Sequence, residues 1–164
     1  MTGPVNTNTS PKANFRATRI LCLALIIGAS VFAMIIVVVN QVSGPVMPAE
    51  GLQFNMTFVW AVTIVALLCI LRAILIYKKG MAVIQNSVSP LNEKLNQYRA
   101  VLIQYMALCE GPALFSIIVF FLTGEYIVLA ITGIMLAAML IRFPQKRKIS
   151  NDLALSFQEQ QELE

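Results

Sequence analysis

There is no histidine among the 164 residues of this chain. That removes the commonest transition-metal ligand and the usual general base near neutral pH. Cysteine is scarce: Cys22, Cys69 and Cys109 stand far apart, each inside an apolar run, forming neither a CxxC pair nor a metal-ligand spacing. They read as small buried apolar residues. No nucleophile–base pair and no glycine-rich phosphate loop occurs. The expectation is therefore no catalytic site, no metal, no cofactor and no enzyme.

Charge is also sparse. Only 12% of residues are charged, against about 25% in soluble domains. The net charge of +4 would suggest a nucleic-acid partner if the basic residues formed a patch. They flank apolar runs instead, so nucleic acid is not expected as a partner and the lipid bilayer is.

Apolar residues make up 58% of the chain, the mean hydropathy is +0.76, and they are bunched into runs too long for core helices of a soluble domain. The expected fold class is all-α, a polytopic membrane protein with four transmembrane helices at residues 20–39, 56–77, 90–122 and 126–143. A polar tail, 1–19, precedes them and a second, 144–164, follows. The first run is longer than the apolar region of a signal peptide and no A-x-A site follows it, so it is expected to be retained. Gly44, Pro45, Pro48 and Gly51 make residues 40–55 a loop. Ser89 is expected to cap the third helix, with Pro90 in its first turn and Glu93 at the positive end of its dipole. Leu91, Leu95, Tyr98 and Leu102 recur at helical spacing. The fourth run is short and could borrow Phe143. After Pro144 come Lys146, Arg147 and Lys148, an amphipathic piece with Leu153, Leu155 and Phe157, and an acidic end.

Orientation follows from charge placement. All Lys and Arg lie on the N-terminal tail, around the loop between helices two and three (Arg72 just inside its membrane edge), or at the C-terminal end from Arg142 on, whereas the other two loops carry only Glu50 and Glu125. By the positive-inside rule both termini lie in the cytoplasm, and the protein is placed in the cell (cytoplasmic or inner) membrane.

The chain also reads as a duplication. Arg16, Ala17, Ile20, Ala24, Leu25, Gly28, Phe32 and Ile35 recur 83 residues later as Arg99, Ala100, Ile103, Ala107, Leu108, Gly111, Phe115 and Ile118. Helices two and four align more weakly. Two N-in hairpins related by an axis along the membrane normal are expected. The repeat contains Ala24-x-x-x-Gly28 and Ala107-x-x-x-Gly111, the small-residue spacing that lets helix backbones approach. Helices one and three are expected to cross there.

One constellation carries chemistry. Glu110 lies near the centre of the apolar run 105–124, followed directly by Gly111 and Pro112. A carboxylate in hydrocarbon is costly and asks for a partner or a task. Pro112 has no N–H, so the Leu108 carbonyl loses its helical donor. Three readings stay open: a structural pair with Arg72 or a hydroxyl, a proton- or cation-carrying site, and a contact with another chain. Arg72 could instead extend to the headgroups. The expected partners beyond lipid are further copies of the chain or a larger membrane complex.

At Ala107-Leu-Cys-Glu-Gly-Pro-Ala-Leu-Phe the chain resembles the carboxylate helix of rotary-ATPase proteolipid (c-type) subunits, over about twenty residues. That resemblance implies that Glu110 is an ion-binding carboxylate of a proton- or cation-conducting subunit. The first run here is not glycine-rich as in proteolipids. The whole chain, with its N-D-L-x-L-S-x-x-E-Q tail, is similar to small uncharacterised bacterial membrane proteins, a resemblance that implies no activity.

Overall fold

The computed structural model describes residues 11–47, 52–87 and 89–145. They form four helices: α1 (Pro11–Ser43), α2 (Leu52–Gln85), α3 (Leu91–Thr123) and α4 (Tyr126–Ile141). The basic cluster at Lys146, Arg147 and Lys148, the amphipathic piece around Leu153, and Glu50 lie outside the described residues. The first three helices, of 33, 34 and 33 residues, are each about 50 Å long at the α-helical rise. Each contains a stretch long and apolar enough to cross a membrane. α4, with 16 residues, spans about 24 Å.

The helices run past the ends of the apolar stretches. α1 begins at Pro11, so Arg16 and Arg19 are helical rather than part of a tail. α2 continues through Lys78, Lys79 and Gly80 to Gln85. Burial explains the extension: Met81 and Ile84 lie in one apolar cluster with Leu91, Leu95, Tyr98 and Leu102. The spacing of those last four residues thus marks a buried face. α4 stops at Ile141, and Phe143 lies beyond it.

Pro90, not Ser89, occupies the N-cap of α3. Its extended backbone (φ −63°, ψ 155°) carries no side-chain cap. Its carbonyl accepts the Glu93 and Lys94 N–H groups at 2.9 and 3.1 Å. The proline φ suits this position, which leaves Ser89 one residue too far out to cap.

Short connections make α2 and α3 antiparallel, and likewise α3 and α4. The second turn rests on Gly124, whose φ of +72° is left-handed and whose N–H bonds the Phe120 carbonyl at 2.8 Å. Near the same end the Asn40 side-chain amide donates to that carbonyl at 3.0 Å, which sets α1 parallel to α3. The Met47 N–H reaches the Leu122 carbonyl at 3.0 Å, latching the following loop to α3. At the opposite end Arg19 lies 5.7 Å from the Phe143 ring centroid and Arg142 lies 4.4 Å from that of Tyr77.

α3 is the hub. It packs against all three other helices, and half of its most apolar window is buried, against 17% for α1 and α2. α1 lies on α3 and α4 and has at most a marginal contact with its neighbour in sequence, α2. A duplicated-hairpin arrangement expects α1 to pack on α2 as α3 packs on α4. The structure has instead a three-sided central helix. α1 buries Thr18, Cys22, Ile26, Ala29 and Asn40, a stripe at helical spacing, and exposes Ile20, Leu23, Ile27, Val31, Ile35 and Val38. A continuous apolar face of that size in water would be a liability. It suits a hydrocarbon solvent, so the fold is consistent with an integral membrane protein.

Candidate functional site

Glu110 sits midway along α3 on its outward side and is half-buried. The next residues turn in opposite directions: Gly111 is exposed, while Pro112 and Ala113 are buried. α3 runs unbroken through Pro112. The side chain that removes a helical N–H is thus turned into the bundle, where its ring fills the core. Ala107, one turn earlier, is exposed. A Cβ added at Gly111 would meet nothing within 4 Å. The carboxylate therefore stands beside a ledge of small residues.

Within the described residues the Glu110 carboxylate makes no hydrogen bond or ion pair. Arg72 is exposed on α2 and is likewise unpaired. The expected intrachain pair of Glu110 with Arg72 does not form. The two residues are nevertheless level. Tyr77 of α2 and Tyr105 of α3 meet edge to face, ring centroids 5.7 Å apart and planes at 67°. Arg72 is five residues before Tyr77 and Glu110 five residues after Tyr105. In antiparallel helices both displacements run the same way, ~7.5 Å along the bundle. Five residues also turn each side chain ~140° beyond a full turn, in the same rotational sense on both helices. From the shared Tyr77–Tyr105 face, the acid and the base therefore leave opposite sides of the α2–α3 pair. That is why equal depth does not bring them together.

The small residues of the repeat are elsewhere than expected. Ala24 and Gly28 of α1 are exposed, as are Ala107 and Gly111, and a Cβ at Gly28 would meet nothing within 4 Å. α1 and α3 do run side by side, but α1 meets the bundle through its Cys22, Ile26 and Ala29 stripe. The four small residues are left on the surface.

Polar groups inside the bundle hold helices together. Ser116 donates to the Ala113 carbonyl at 2.8 Å, and its hydroxyl pairs with that of Thr132 across α3 and α4. The Tyr105 hydroxyl reaches the Ala138 carbonyl at 3.4 Å. Thr63 bonds back to Val59 on an exposed face, as its position in an apolar helix suggests. Sequence reasoning missed the interhelical role of Asn40. Its place at the end of an apolar run, followed by turn residues, made it look like the start of a loop.

Cys22 and Cys109 are buried free thiols and Cys69 is half-buried. No group of three or more His, Cys, Asp or Glu side chains able to hold a metal occurs among the described residues. An open groove of about 460 Å³ runs between α2 and α3 near their connection, lined by Lys79, Gly80, Val83, Gln97 and Val101 among others. Comparison of the chain with family models, with curated proteins and with solved structures gave no match in any of the three.

Proposed function

We propose that this integral membrane protein works by associating with further copies of itself, or with a larger membrane complex, through the α3 face around Glu110. The observation that carries this reading is the carboxylate itself, without a partner among the described residues and flanked by the exposed Ala107 and Gly111. A carboxylate facing lipid is costly, and a small-residue ledge admits a second helix backbone at close range. No enzymatic activity is part of the proposal. Both termini are placed on the cytoplasmic side of the cell membrane. In support, Arg19 and Arg142 share one end of the bundle with Lys78 and Lys79, whereas Glu125 lies at the other.

The test is a count of copies. Fluorescently labelled protein is reconstituted into vesicles at high dilution and bleaching steps are counted. The expected result is more than one copy per assembly. A single copy at every protein-to-lipid ratio overturns self-association and leaves the larger complex to be sought by affinity capture from native membranes.

A second reading makes Glu110 a proton or cation carrier, favoured by the same lack of a fixed partner. It expects proton flux across liposomes that is lost in Glu110→Gln. Equal flux in wild type and variant, or none in either, removes it.

A further inference from the structure

We infer that copies of this chain assemble head to tail around an axis along the membrane normal, with Glu110 of each copy meeting Arg72 of its neighbour. This rests on the self-association reading above and specifies its interface.

Four observations converge. One group is an acid and the other a base, and neither has a hydrogen bond or ion pair among the described residues. Both lie at one level of the bundle, fixed by the Tyr77–Tyr105 contact. They leave opposite sides of the α2–α3 pair. Finally, their surroundings complement one another. Arg72 is flanked by the exposed Leu68, Leu71 and Leu75, a ridge of large residues at helical spacing, whereas Glu110 stands on the ledge of Ala107 and Gly111.

A bilayer restricts how such groups can meet. Copies inserted with the same orientation and related by rotation about the membrane normal keep every residue at its depth. An acid and a base at the same depth on one chain therefore come level between chains, with no tilt or sliding. Because they leave opposite sides, the contact cannot be one patch against itself. It is heterologous, one face against the back of the next, and such contacts form a ring when the rotation between copies closes. The α2 ridge of one copy then enters the α3 ledge of the next, as small-residue helix contacts in membranes do. The guanidinium donates in parallel N–H···O bonds to a carboxylate that has no other donor. The competing fate of Arg72, extension of its stem toward the headgroups, leaves Glu110 unsatisfied. Pairing between copies satisfies both.

The test uses full-length protein in vesicles, with copies counted by bleaching steps and helical content checked by circular dichroism. Wild type is expected to give more than two copies. Glu110→Gln and Arg72→Gln are each expected to fall to one. Mixed together, the two variants retain one intact contact per pair and are expected to stop at two. The exchanged double variant Arg72→Glu, Glu110→Arg is expected to recover the wild-type count, and it covers the case in which a single variant does not fold. Single variants that keep the wild-type count, or an exchanged variant that stays single, overturn this interface while self-association stands. A wild type that is itself single overturns the underlying reading.

Discussion

Tyr77 and Tyr105 meet edge to face at 5.7 Å between the two longest-packed helices, and this contact sets their register. Arg142, the residue that follows α4, lies 4.4 Å from the Tyr77 ring centroid, and the Tyr105 hydroxyl reaches α4 at Ala138. Three helices are thus indexed to one another at a single level. The level of Arg72 and Glu110 follows from it. Tyr77 is itself buried, with 4% of its surface exposed.

Asn40→Ala should weaken the bundle without changing its topology. The amide bonds the Phe120 carbonyl at 3.0 Å in a buried setting, and that carbonyl keeps the Gly124 N–H. The expected loss is about 1 kcal/mol, the size of one hydrogen bond between membrane helices. Reversible unfolding in mixed micelles measures it.

Gly80 and Gly133 should respond oppositely to alanine. A Cβ at Gly80 would lie 2.5 and 2.8 Å from the Val101 methyl groups, whereas at Gly133 it meets nothing within 4 Å. Valine is stiff at χ1, so it cannot swing clear. Gly80→Ala is expected to lose about 1 kcal/mol net, overpacking outweighing the gain in helix propensity. Adding Val101→Ala should recover it, and Gly133→Ala should be neutral or stabilising. Thermal unfolding in detergent separates the cases.

Gly124→Ala should destabilise the α3–α4 turn. The left-handed backbone there (φ +72°) costs an L-residue about 1 kcal/mol, and the new Cβ would sit 3.2 Å from Pro45 Cβ. The loop that follows α1 is held against this turn, so hydrogen exchange at Met47, whose N–H bonds Leu122, should accelerate. Unchanged exchange would show that the latch is independent of the turn.

Ser116 and Thr132 should be coupled. Each hydroxyl is buried, and they pair across α3 and α4. A cycle of Ser116→Ala, Thr132→Val and the double variant is expected to give a coupling of about 0.6 kcal/mol, typical of interhelical hydrogen bonds in membranes. A coupling near zero would mean that each hydroxyl is served by its own helix.

Much of the candidate site was legible in the sequence as composition. A lone carboxylate with glycine and proline beside it stands out in an apolar run because hydrocarbon tolerates so few charges. Whether it pairs with Arg72 was not legible. The angle around each helix axis decides whether the two touch, and that angle comes from which face each helix buries. The same limit explains Ala24 and Gly28. Spacing shows that two backbones could approach there; it does not say whether the approaching helix belongs to the same chain.

The sequence by itself determined that the chain is helical and suited to a bilayer, because long uncharged apolar runs admit few other structures. It also determined the break between residues 122 and 126 and the helical spacing of Leu91, Leu95, Tyr98 and Leu102, since both depend on local pattern. The tertiary structure alone decided that α3 is the hub, that α1 sits on α3 rather than α2, and that Glu110 and Arg72 face away from each other at one depth. In a membrane every helix is apolar on most sides, so hydrophobicity does not mark which face turns inward. Side-chain shape and a few hydrogen bonds make that choice.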